Sequence, residues 1–403
     1  MSDDALIRGL AGGRLSRRRL LGRAGFAAGA LAAAPLLAAC GEITNRVAAP
    51  VGSTDWWRGQ RDTGQLVFAN WPLYIDYTNW LKDRPSLNGF SRHTGIEVTY
   101  EEVIEGNEPF FQKIAPRLQA GQPLGYDLIV LTNGWQTSQL IGNDWLVPLD
   151  HSMLPNFASY AASIAKNPNY DPGNRFTIPW QSGFTGIAYN ANRIGREITS
   201  VRDLWDPAFR GRVGMMSDNT DLGSAGLLYL GIDPATSTAS DWEQAAGVLR
   251  KQRGLVRGYY DQRYIDALER GDTWISQAWS GDIFQANASG HPELKFVVPQ
   301  EGVMHWTDNM MIPRNARNPL SAMAWMNYYY QPRVAAMVAD WVEYITPVPG
   351  AQAILEKSDP AVGRSSLVFP TAAMAARARN YPTFSTRARF DAWNGSFDPI
   401  INS

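Results

Sequence analysis

From Leu66 onward the chain alternates short apolar runs with stretches of helical period. Leu66-Val67-Phe68-Ala69 reads as a buried strand, and Ile96-Glu97-Val98-Thr99-Tyr100 alternates as a half-buried strand does. The spacing predicts a helix through Trp80 and Leu81 and another through Phe110, Phe111, Ile114 and Leu118, which leads to the apolar run Tyr126-Asp127-Leu128-Ile129-Val130-Leu131. A second set follows. Strands are predicted at Gly186 to Tyr189, Val213 to Met216, Trp274 to Ser276 and Phe296 to Val298, with helices at Gly223 to Leu230 and Asp241 to Arg250. Helical pattern returns from Pro319 to Tyr330 and from Val334 to Tyr344, with Pro347 and Pro349 as stops. Strand and helix in alternation predict an α/β protein of two lobes, each a mainly parallel sheet flanked by helices.

The beginning of the chain follows another logic. Ser16-Arg17-Arg18-Arg19-Leu20-Leu21 is a basic run, and Ala24 to Ala39 follows without a charge, as an export signal does. These sixteen residues fall short of the roughly 20 that span a bilayer. The arginines resemble a twin-arginine signal, and Leu37-Ala38-Ala39-Cys40 resembles a bacterial lipobox, whose Cys accepts a lipid. Cys40 is the only cysteine in the chain, which excludes disulfides and cysteine-based zinc sites. The expectation is a signal over 1–39, lipidation at Cys40 and a linker over 40–64, where turn-formers such as Pro50, Gly52, Ser53, Gly59 and Gly64 accumulate.

Charge narrows the partners. The 403 residues hold 37 basic and 38 acidic side chains, and six Arg and two Asp of these lie in residues 1–39, so the remainder carries a net charge of -5. Nucleic acid would require a basic stripe, which is absent. Fifteen Trp offer more aromatic surface than a core of this size needs. There is no G-x-S-x-G, phosphate loop, G-x-G-x-x-G or H-E-x-x-H, and His93, His151, His291 and His305 lack ligand spacing. No metal and no cofactor is expected, and Tyr259-Tyr260 reads as packing. Asp218 and Asp221 leave a two-carboxylate hydrolase open as an alternative.

Several segments resemble the polyamine-binding (spermidine/putrescine) proteins of bacterial ABC importers: Asn70-Trp71-Pro72-Leu73-Tyr74, Thr94 to Tyr100, Tyr126 to Val130, and Ile178 to Asn190. They continue, in family order, with Asp203 to Val213, Ala278 to Asp282, Pro299 to Gly302, Trp306 to Pro313 and Glu343 to Pro347. The resemblance implies a two-lobed type II periplasmic-binding-protein fold that closes on its ligand, with discontinuous lobes joined by a hinge. Lobe 1 is then 65–184 plus 306–345 and lobe 2 is 185–305 plus 346–403, with crossings near Gly183 to Gly186 and His305 to Trp306. It further implies ligand contacts at Trp71, Tyr74, Thr132, Asp218, Asp221, Trp279, Asp282, Trp306, Asp308 and Tyr344.

The implied chemistry is coherent. A polyamine is a flexible hydrocarbon with ammonium groups, so it needs aromatic walls, each cation–π contact adding about 0.5–2 kcal/mol, and carboxylates for its charges. Two positions depart from the family. Leu73 stands where an acid is usual, and Gly134 replaces an aromatic, with Trp135 beside it as a substitute. The implied function is that of a lipid-anchored, extracytoplasmic binding component of an ABC importer. It would work as a monomer without catalysis, deliver a small cationic ligand to membrane permease subunits and bind no nucleic acid. The alternatives are another amine-bearing solute (an opine or amino acid derivative), a sugar stacked on Trp, and a secreted two-lobed hydrolase.

Overall fold

A computed structural model describes residues 49–78 and 83–402. The export signal, Cys40 and the helix expected through Trp80 and Leu81 lie outside the described residues.

Among the described residues ten strands form one sheet: β1 (Gln65–Asn70), β2 (Glu97–Glu102), β3 (Leu128–Thr132), β4 (Thr177–Asn190), β5 (Val213–Met216), β6 (Val256–Tyr260), β7 (Ile275–Trp279), β8 (Leu294–Val297), β9 (Val303–Met311) and β10 (Ala378–Arg379). The order is β2-β1-β3-β9-β4-β7-β5-β6, with β10 on β9 and β8 on β4. At one end β1 is parallel to β2 and β3, and at the other β5 is parallel to β6 and β7. Antiparallel β9 and β4 lie between them. Each end is therefore a parallel sheet that needs helices on its faces to shield it from water. The helix Asn107–Gln119 shows how the sequence supplies them. Phe110, Ile114 and Leu118 recur every fourth residue and are all buried, at about 1.5–3 kcal/mol each.

The two central strands hold the halves together. β4 is fourteen residues long and buried throughout. Its first part pairs with the half of β9 that also pairs with β3, while its last part pairs with β7 and β8. The passage from one half to the other occurs where Gly183 faces Trp306 and Phe184 faces His305. A third chain segment passes at the same level, because Ser182 and Ile345 exchange both backbone hydrogen bonds at 2.9 Å. Gly183 is required there, since a Cβ would run into the Trp306 ring.

Packing redistributes the chain's last sixty residues. Val348, Ala351 and Leu355 are buried, Gly350 abuts Pro332, and the helix Gln352–Ser358 packs on the helix Pro332–Val342. The stretch as far as Gly363, expected on the second lobe from residue 346, thus packs on the helix Pro332–Val342, where its apolar residues find a partner. Only afterwards does the chain return, through β10 on Val303 and Met304 and the helix Arg387–Ile401 on the helices Asn219–Leu230 and Ala239–Gln252. Among the described residues no helix is long and apolar enough to cross a membrane.

Candidate functional site

The C-terminal ends of the parallel strands and the crossing strands converge on a group of acids and aromatic rings. Asp308 lies on β9 opposite Thr132, the last residue of β3. It is buried, and both carboxylate oxygens are occupied: Tyr74 Oη donates to Oδ2 and Thr132 Oγ1 to Oδ1, each at 2.6 Å. Asn107 locks Thr132 in place through two 3.0 Å bonds, to its backbone N–H and its hydroxyl. Burial raises the Asp308 carboxyl from 3.8 to about 6, against the opposing pull of the Thr132 and Tyr74 hydroxyls.

Asp221 belongs to the other half, in the first turn of the helix Asn219–Leu230. Trp279 Nε1 donates to its Oδ2 at 3.2 Å, and Tyr381 Oη donates to its Oδ1. Desolvation raises its pKa, and the neighbouring Asp218 charge adds to the rise. Asp218 itself is exposed and caps this helix, accepting from the backbone N–H groups of Thr220 (2.8 Å) and Asp221 (3.1 Å). The groups that act most strongly on Asp308 and Asp221 are hydroxyl and indole donors and, at Asp221, the acid Asp218. Neutral hydroxyl and indole donors clasp two buried acids, which a cationic guest can then neutralise.

Aromatic groups connect these acids. Tyr344 follows the helix Pro332–Val342, donates to Asp282 Oδ1 at 2.6 Å, and meets Tyr74 edge-on at 6.2 Å and Trp306 at 5.2 Å. Gly281 is needed beneath it, for a Cβ there would strike the ring. Asp282 Oδ2 accepts from Tyr264 Oη at 2.9 Å, and the same phenol accepts from the Trp279 backbone N–H at 2.9 Å. The buried Trp306 indole N–H has no acceptor among the described residues. Trp71 is half-buried and donates its indole N–H to Val130 O at 3.0 Å.

Of the residues singled out in the sequence, Tyr74, Thr132, Asp308, Trp306, Tyr344 and Asp282 form one contiguous chain of contacts, and Trp279 links it to Asp221. Trp71 is directed to a backbone carbonyl, and Asp218 caps a helix. Sequence reasoning missed Tyr264, Tyr381, Asn107 and Thr185, the last of which meets Tyr381 Oη at 3.2 Å. Tyr381 stands 160 residues from its acid in an irregular Pro-containing stretch, so no spacing could have signalled it. The two departures also resolve. Leu73 adopts φ 56°, its N–H donates to Glu102 Oε1 at 2.8 Å, and Arg84 pairs with that same oxygen at 3.2 Å. Trp135, the expected substitute for an aromatic at 134, stacks on Phe390.

Two half-sheets tied by crossing strands, with acids and aromatics where they meet, define a two-lobed solute-binding protein. The bacterial extracellular solute-binding protein family matches residues 126–364, and the chain belongs to that family. It is 31% identical over 300 residues to spermidine/putrescine-binding periplasmic protein 1 of Haemophilus influenzae, covering 73% of this chain and 81% of that protein. It is 28% identical over 313 residues to the spermidine/putrescine-binding periplasmic protein of Escherichia coli, covering 77% and 84%. A spermidine/putrescine ABC transporter substrate-binding protein from Streptococcus pneumoniae has the same fold, with a TM-score of 0.73 at 25% identity over 83% of this chain and 98% of that one. The architecture is the type II periplasmic-binding-protein fold, as the sequence implied. These relatives are transport-binding proteins rather than enzymes.

Proposed function

We propose that the protein is the substrate-binding component of an ABC importer and captures a polyamine such as putrescine or spermidine between its lobes. The observation that carries this reading is the pair of buried carboxylates, Asp308 and Asp221, one on each half, both satisfied by neutral donors. A buried carboxylate without a cation is costly, and an incoming ammonium offsets that cost. Tyr74, Tyr344, Trp306 and Trp279 supply faces and edges for methylenes and charge. Relatives that bind spermidine and putrescine support the same ligand class.

In this proposal the lobes divide near Gly183 and Trp306 and close by rotation about β4 and β9, because a shared site interacts fully only when both halves are in place. The protein works without catalysis, as a monomer, and presents its loaded form to permease subunits. It is exported and held at the outer face of the cytoplasmic membrane by lipid on Cys40. The relatives' periplasmic location supports export, and the Leu37-Ala38-Ala39-Cys40 motif supports the anchor.

The test is a thermal-shift screen against putrescine, cadaverine, spermidine, spermine, amino acids and sugars, followed by calorimetric titration. At a hundredfold excess over Kd a ligand stabilises by about 2.7 kcal/mol, enough to raise Tm by roughly 3–4 °C in a chain of this length. Diamines or triamines are expected to give the largest shift. Saturable stabilisation by a neutral sugar, with none by any amine, would overturn the reading.

A further inference from the structure

Trp135 begins the helix Trp135–Gly142 directly after β3, three residues beyond Thr132. Phe390 belongs to the helix Arg387–Ile401, whose Trp393 and Phe397 rings press on Gly223 of the opposite half. The Trp135 and Phe390 rings nevertheless lie face to face, with centroids 4.8 Å apart and planes 7° from parallel. Trp135 is only 4% exposed. Phe384 backs Phe390 edge-on at 5.4 Å, and the Arg387 guanidinium lies 5.8 Å from its centroid. Nine residues before Phe390, Tyr381 grips Asp221. One C-terminal strap therefore holds a site acid on the second half and reaches across to the first.

We infer that the Trp135–Phe390 stack is an interlobe latch that favours the closed cleft in the ligand-free protein and must part whenever ligand enters or leaves. Rotation about the β4 and β9 crossing separates the rings and returns two apolar faces to water. An aromatic pair of this kind shifts an opening equilibrium by about two- to tenfold beyond the area it buries. The latch contains no carboxylate and rests on the contact of two rings from opposite halves, so it depends on the two-lobed architecture and not on the ligand being a polyamine.

The experiment uses the purified full-length protein without ligand and reads the radius of gyration by small-angle scattering together with amide hydrogen exchange. Phe390→Ala is expected to enlarge the ligand-free radius and to speed exchange about two- to tenfold both near residue 390 and across the cleft at 132–137. Trp135→Leu is expected to do the same, and Phe390→Tyr to match the parent. Phe390→Leu keeps an apolar contact with Phe384 without the stack, and takes the place of Phe390→Ala should that variant fail to fold. Faster exchange confined to the C-terminal helix, with an unchanged radius, would mean a purely local packing role and overturn the latch. So would a Phe390→Tyr protein as open as the truncated variants.

Discussion

Replacing Asp308 with Asn keeps the size of the side chain and removes the charge on which the proposed recognition depends. Burial holds this carboxyl at about 6 instead of 3.8, which corresponds to about 3 kcal/mol of unfavourable charge burial at neutral pH. The folded value lies above the unfolded one, so the native state binds the extra proton between about pH 4 and 6. The ligand-free protein accordingly loses stability as pH rises through that window. Asn abolishes this cost, which is already net of the bonds that Tyr74 and Thr132 give the charged carboxylate. The ligand-free Tm is therefore expected to rise. Binding has no such compensation. A desolvated ammonium that loses its partner costs about 2–5 kcal/mol, or roughly thirtyfold to several thousandfold in Kd. The assay is calorimetric titration of Asp308→Asn at pH 7.5 with whichever amine the screen identifies, with Trp279→Ala and thermal melts alongside. Near-parental binding by Asp308→Asn, together with a large loss for Trp279→Ala, would refute cation capture and favour a neutral, ring-stacked ligand.

Two further outcomes are expected. Because Asp308 and Asp221 both hold their protons to unusually high pH, an ammonium must displace protons to bind, and the apparent Kd should rise about tenfold or more between pH 7.5 and 5. The Asp308→Asn protein should show a flatter profile, and a constant parental Kd across this range would contradict the linkage. Changing Cys40 to Ala should leave the protein unprocessed or release it from the membrane, as cell fractionation and precursor size on a gel will show. Unaltered processing and membrane association would rule out lipidation at Cys40.

The periodic elements were legible from local pattern alone. β1, β2, β5 and the helix Asn107–Gln119 bury residues at period 2 or 3.6, or as unbroken apolar runs, and those periods are printed in the residues themselves. Motif order likewise made Asp308, Asp282, Trp279 and Tyr344 visible as a set. β9 and the first part of β4 were not visible as strands. They are buried on both faces and contain Gly, Pro, Gln and Asp, and their polar side chains bond to partners far along the chain, as when Gln181 Nε2 donates to Tyr329 Oη at 2.9 Å. The same reason hid Tyr381, the packing of residues 346–363 on the helix Pro332–Val342 and the stacking of Trp135 on Phe390. A side chain's partner across hundreds of residues is chosen by the packing of whole lobes, and no local period records it. The amino-acid sequence by itself determined the two α/β halves and the chemistry gathered for a cation. The tertiary structure decided which acids are buried, which hydroxyls clasp them and which rings bridge the cleft, because burial and pairing arise only when both halves are assembled.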